Sequence, residues 1–242
     1  MYSEFEVSLP FFVVSFKAYI YGKEALKFSR VAEKISKKHE VPIIIIPQIV
    51  DITKIAQETR LPVFSPHIDP IRPGKGTGNI LAEAVKEAGA VGTMLNHPER
   101  RILSLSEIHS AIKRADEVGL ASMVCAGTPE EAAAVASLSP NIISAEPPEL
   151  IGTGRSVAKV RKDFIVESVK AVKKVNPRII VAIGASITTG KDVAETMRLG
   201  AEATGAASGI FTAKDPVKKL DEMVEALKKA KILCQTFKID KI

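Results

Sequence analysis

Apolar and polar positions along the chain follow two alternating rhythms. Short apolar runs at 11–16, 41–46, 62–65, 91–95, 121–125, 142–145, 178–183 and 203–207 read as buried strands, rich in β-branched residues. Between them the apolar positions switch to helical spacing. Phe28, Val31, Ala32 and Ile35 mark one helix face over 23–39. Ile165, Val169 and Val172 mark another over 156–175, and Val217, Leu220, Val224 and Leu227 a last one opened by Asp215-Pro216. Helix starts are readable at Asp51, Asn79, Ser104 (a capping box with Glu107) and Thr128-Pro129. A short helix over 191–199 completes the set.

Strands that alternate with helices imply an α/β fold with a parallel sheet. Eight such units at roughly 25–30-residue spacing imply closure into a single (β/α)8 barrel. An open doubly wound sheet would carry Gly-x-Gly-x-x-Gly after its first strand, and that pattern is absent here. The barrel domain is expected over 11–231, after an N-terminal extension (1–10) and before a C-terminal tail (232–242) without assignment. The small-residue run 203–207 carries the weakest strand signal, and closure depends on it.

Composition sharpens this reading. Aromatics are 5% and Trp is absent, while hydrophobic residues reach 46%. That mix suits parallel strands packed by small-residue helices. A net charge of +6 attracts anions: nucleic acid, an acidic membrane or a phosphorylated metabolite. No stretch interleaves basic and aromatic residues, which argues against nucleic acid. Cys125 and Cys234 form no Cys-x-x-Cys and have no nearby histidine, so a metal site is not expected. No apolar run approaches membrane-spanning length and no signal-peptide layout opens the chain, so a cytoplasmic protein without membrane partners is expected.

In such a barrel, chemistry gathers at the carboxyl ends of the strands. Those ends carry Lys17, Gln48, His67, His97, Cys125, Glu146, Ser186 and Ser208. Lys17, His97 and Glu146 suit proton transfer beside an anionic substrate. A lysine that merely snorkels and a packing histidine are the plain alternatives. His97 precedes Pro98 at a helix start, where the positive dipole end keeps an imidazole neutral. His67 reads as structural, and His39 and His109 as surface residues on helices. Glu146 is followed by two prolines and by Gly152-Thr153-Gly154, which suits the stiff entry and permissive exit of a movable lid over a general base; a Pro-rich connecting loop with a surface glutamate is the plain alternative. With Gly184-Ala185-Ser186 and Ala207-Ser208-Gly209, Gly152-Thr153-Gly154 forms a set of small-residue turns suited to phosphate.

Phe16-Lys17, His67-Ile68-Asp69-Pro70, Asn96-His97-Pro98-Glu99-Arg100-Arg101, the run from Glu146 to Gly154 and Gly184-Ala185-Ser186 resemble triosephosphate isomerases, in particular the short archaeal form, over about residues 11–230. The resemblance implies a TIM barrel acting in glycolysis and gluconeogenesis, without cofactor or metal, on a small phosphorylated triose. It implies Glu146 as base, His97 as neutral electrophile and Lys17 as the cation at the substrate, with Glu99 as a supporting acid. The lid would be Pro147, Pro148, Glu149, Leu150, Ile151, Gly152 and Thr153. Ile151, Gly152, Ser186, Ala207 and Ser208 would offer backbone N–H groups to the phosphate. A homodimer or homotetramer is also implied, with loop 69–78 reaching a neighbour and Thr77 near that neighbour's site. Two positions depart from the family. Ser15, a substrate-contact position, stands where the family has Asn, and Pro98 where it has Ser. Proline removes one N–H but presets the first helical turn. Serine lacks the amide donor, which keeps open a second reading: a barrel acting on, or merely binding, another small phosphorylated sugar or aldehyde.

Overall fold

The computed structural model describes residues 1–239, with side-chain surroundings for residues 1–230. Its elements run β1 (Phe11–Ser15), α1 (Gly22–His39), β2 (Ile43–Ile46), α2 (Ile52–Glu58), β3 (Phe64–Ser65), α3 (Ala82–Glu87), β4 (Gly92–Leu95) and α4 (Leu105–Val118). They continue with β5 (Ala121–Ala126), α5 (Pro129–Ala136), β6 (Ile142–Ala145), α6 (Val157–Val160), α7 (Lys162–Val175), β7 (Ile180–Ile183), α8 (Gly190–Arg198), β8 (Ala203–Ala206), α9 (Ser208–Phe211) and α10 (Pro216–Ile239). All ladders are parallel, in the order β2-β1-β8-β7-β6-β5-β4-β3. A parallel bridge between Ile45 and Val63 joins the two ends, so the sheet is a barrel. The small-residue β8 does close it: it pairs with β1 on one side and β7 on the other.

Strand alternation sorts the side chains into two cores. Phe11, Ile44, Ile46, Phe64, Met94, Met123, Cys125 and Ile142 fill the barrel. Phe12, Val14, Phe16, Ile43, Ile45 and Ile143 face the helices. Each fully buried Phe or Ile contributes about 1.5–3 kcal/mol of transfer free energy. Gly92 makes room for the Phe64 ring, whose nearest atom lies 2.4 Å from where a Cβ would stand. Outside, Phe16 meets Phe28 and Phe211 edge-on, at centroid distances of 5.8 and 5.6 Å.

The extension at 1–10 is packed rather than loose. Phe5 and Val7 lie against the barrel filling, with Phe5 edge-on to Phe64 at 5.9 Å. Asn141 Nδ2 donates to the Tyr2 carbonyl at 2.8 Å. This strap covers the amino ends of the strands. At the other end of the chain, α10 runs beyond residue 231 into the stretch left unassigned from sequence. Residues 240–242 of that stretch lie outside the described residues.

Several local expectations are corrected. Asp51 does not cap α2, because a 3-10 turn at Ile49–Asp51 has already made it helical. Its carboxylate accepts instead from the Gly22 N–H at 2.9 Å, at the start of α1. Asn79 is no cap either: α3 starts after Leu81, and the preceding strand-like segment is pinned by Asp69, whose carboxylate accepts from Ile80 N at 2.6 Å. The expected helix over 156–175 is broken at Arg161, whose backbone (φ −139°, ψ 56°) separates α6 from α7. His39 is half-buried, and its ring nitrogen lies 2.8 Å from Asp221 of α10. The capping box at Ser104 and Glu107 and the cap at Thr128 are present as read. Among the described residues, no helix is long and apolar enough to cross a membrane, and no group of three or more His, Cys, Asp and Glu could hold a metal.

Candidate active site

Parallel strands deliver their carboxyl ends to one mouth, and inward-facing positions two residues apart share one line of sight into it. On β1 that line runs through Val13 and Ser15 to Lys17, all lining the cleft. Lys17 sits just past the strand with φ 45°, a left-handed conformation that side chains other than Gly seldom adopt. Its carbonyl is held by Gln48 Nε2 at 2.5 Å, which locks a backbone that would relax alone. The ammonium reaches Glu99 Oε1 at 2.7 Å.

His97 follows β4 and begins a 3-10 turn over Pro98–Arg100. The Glu99 N–H donates to His97 Nδ1 at 3.1 Å. An Nδ1 that accepts carries no proton, so the neutral ring bears its hydrogen on Nε2, which faces the cleft. Burial pushes the imidazole below its ordinary value; Glu146 and Glu99 pull the other way, and the cations Lys17 and Arg101 add to the lowering. The ring is therefore neutral at neutral pH. Asn96, just before it, has φ 55° and accepts from Leu103 N at 3.1 Å, which turns the chain so that the imidazole projects into the mouth.

Glu146 leaves β6 with Oε2 3.9 Å from His97 Nε2. Ser144, two residues earlier and on the same strand face, donates its hydroxyl to Glu146 Oε1 at 2.9 Å. Gly184, after β7, gives the carboxylate its space: a Cβ there would stand 2.5 Å from Glu146 Cδ. Lys17, His97 and Glu146 thus share one cleft, with Ser15, Ile151, Gly152, Ser186, Ala207 and Ser208 also on its walls. Glu99 is half exposed at the rim and touches both Lys17 and the His97 ring. His67 is buried outside this group and bonds Asp69 at 3.2 Å, beneath loop 69–78.

The segment from Pro147 to Thr153 borders the cleft, with Ile151 and Gly152 on its wall. Pro148–Leu150 forms a 3-10 turn, and Leu150 is buried. The Ser186 hydroxyl donates to the Leu150 carbonyl at 2.5 Å and accepts from Gly154 N at 3.2 Å. Sequence reasoning gave Ser186 a backbone role alone; this two-sided grip needs the fold to be seen. The Ile151 N–H is already given to the Pro148 carbonyl at 3.2 Å. Arg101 makes a paired contact with Glu131 at 3.0 and 3.2 Å and lies beside Gly127 near Pro148, where this segment starts. Ser144 was also missed, though it had a signal, since it sits two strand positions before Glu146. Gly184 was read as part of a phosphate turn; that it makes room for Glu146 has no local signal, because a strand-end glycine does not announce which side chain needs its space.

The family model described as triosephosphate isomerase matches residues 10–227. A triosephosphate isomerase of Methanobacterium bryantii is 43% identical over 220 residues, 90% of this chain and 97% of its own. One from Sulfurisphaera tokodaii is 43% identical over 222 residues, 90% and 96% of the two chains. Among solved structures, the triosephosphate isomerase of Bartonella henselae superposes with a TM-score of 0.67, over 91% of this chain and 98% of that one. At 18% identity that likeness speaks for the fold. A match along nearly the whole length of these relatives, on a barrel with this cleft, means that the chain belongs to the triosephosphate isomerase family, a family of isomerases.

Proposed function

We propose that this protein interconverts D-glyceraldehyde 3-phosphate and dihydroxyacetone phosphate through an enediolate, as a step of glycolysis and gluconeogenesis. The observation that carries this is the meeting of a carboxylate, an Nε2-protonated neutral imidazole and an ammonium in one cleft. Glu146 removes a proton from the carbon next to the substrate carbonyl, and the bonding pair moves toward the carbonyl oxygen. The His97 Nε2–H hydrogen-bonds that oxygen and passes protons between the two oxygens. Lys17 stabilises the charge that develops there. Glu146 then returns its proton to the neighbouring carbon, so no proton or electron is left over. Gly152, Ser186, Ala207 and Ser208 are the walls from which backbone N–H groups meet the phosphate. The segment 147–153 acts as the lid, shutting water out while the intermediate exists. A coupled isomerase assay tests the reading: turnover of both trioses supports it, and tight binding of 2-phosphoglycolate without turnover overturns it. Ser15 on the cleft wall makes other phosphorylated aldehydes the comparison substrates.

The lowered imidazole value has a consequence for pH. His97 is neutral above its own pKa, and that pKa lies below the ordinary 6.5. Activity is expected to hold as pH falls through 6.5 and to decline only below it. Log kcat/KM against pH, with the His97 ring followed by NMR, checks this; a limb at or above 6.5 contradicts it.

We also propose that the chain pairs with a second copy through the face carrying Tyr21 and Val50, 71% and 83% exposed. Apolar side chains this exposed on neighbouring loops favour a covered state. Val50→Asp is expected to shift the sedimentation mass toward the monomer; an unchanged monomer in both proteins counts against pairing.

A further inference from the structure

Beyond the lid lies an ion pair that the proposed reaction does not use. Asp192, on the first turn of α8, has a side chain fully shut off from solvent. Its Oδ2 accepts from Thr188 N at 3.1 Å, Thr188 Oγ1 at 3.0 Å and Thr189 N at 2.9 Å. These bonds shape the chain directly after Ser186 and Ile187, which line the cleft. Its other oxygen, Oδ1, faces the Lys159 ammonium at 3.1 Å. Lys159 belongs to α6, the short helix that follows the lid. Burial works against the charged carboxylate, but the bonds from Thr188 and Thr189 and the lysine outweigh it and hold the group below its usual range.

An ordinary helix cap accounts for Oδ2. It does not account for a buried carboxylate oxygen aimed at a cation on another element. The same two segments meet at further points: Val157 N donates to the Ala185 carbonyl at 3.3 Å, and Ser186 grips Leu150 and Gly154. From Leu150 to Lys159, one chain segment is thus fastened repeatedly along the turn from Ala185 to Asp192.

We propose that Lys159 and Asp192 are positioning residues that couple the downstream end of the lid to the turn gripping the substrate phosphate, so that phosphate affinity depends on their pairing. The inference rests on the proposed phosphate site at Gly152 and Ser186. Neither residue touches substrate. Removing the ammonium loosens the end of the lid and leaves Lys17, His97 and Glu146 in place.

Lys159 is largely exposed, so Lys159→Met is expected to fold and to shift the melting temperature by less than about 2 °C. It is expected to raise KM for glyceraldehyde 3-phosphate and the Kd of 2-phosphoglycolate by about fivefold each. Turnover of unphosphorylated glyceraldehyde is expected to stay unchanged, because it has no phosphate to grip. Lys159→Arg restores affinity. Asp192→Asn keeps an acceptor for the Thr188 and Thr189 donors, and the double variant is expected to be no weaker than the weaker single one. Unchanged 2-phosphoglycolate binding in Lys159→Met, or additive losses in the double variant, overturns the coupling while leaving the reaction intact. If the unmodified protein neither binds 2-phosphoglycolate nor isomerises the trioses, the phosphate site itself is wrong and the inference falls with it.

Discussion

Glu146→Gln is expected to lower kcat by about a thousandfold, within the range ascribed to a positioned general base. The amide keeps the shape of the carboxylate and can still meet the Ser144 hydroxyl, so the fold is expected to survive. What is lost is the ability to take a proton from carbon. Glu149 does not replace it. That exposed carboxylate pairs instead with Arg161 at 3.2 Å. A coupled assay and a thermal melt on the same preparation decide the matter. Turnover within tenfold of the unmodified protein, with an unchanged melt, would move the base elsewhere.

Lys17→Met comes second, with kcat/KM expected to fall by about 10³-fold, as for loss of a donor that stabilises developing charge. The reason is partly local. Lys17 lines the cleft, and its strained backbone, held by Gln48, aims it there. The ammonium is partnered by Glu99 at 2.7 Å, so the proposed anionic substrate would compete with that carboxylate for it. Methionine keeps most of the side chain's volume and removes the charge, which separates electrostatics from packing. Steady-state kinetics with 2-phosphoglycolate inhibition measure both sides of the loss. A decrease under tenfold would leave the substrate's anion held mainly by backbone amides.

The strands were legible because both faces of a parallel barrel are buried, so apolar runs stand out without competition from solvent. That Lys17, His97 and Glu146 would meet at one mouth was legible for the complementary reason: each is a polar residue within two positions of the end of such a run. What escaped was decided between elements. Asp51 has an ideal capping side chain, yet a 3-10 turn carries it into the helix and its carboxylate serves Gly22 on another unit. The break at Arg161 leaves the apolar spacing of α7 undisturbed, so periodicity runs straight across it. Ser186 reads as a small turn residue, although its hydroxyl spans the lid, because its partners at Leu150 and Gly154 are remote in sequence. Residues that bond across loops carry no local signature of their partner.

Phe5 and Val7 of the N-terminal strap close the lower end of the barrel beneath Phe64. With the barrel itself filled, solvent reaches Glu146 only from the mouth, the side on which the proposed substrate would enter. Once the upper mouth is filled, the carboxylate has little water with which to trade hydrogen isotopes. A hydron taken from one carbon is then more readily delivered to its neighbour than washed out. The filled barrel, with the strap packed beneath it, would thus favour internal hydron return over exchange with the medium.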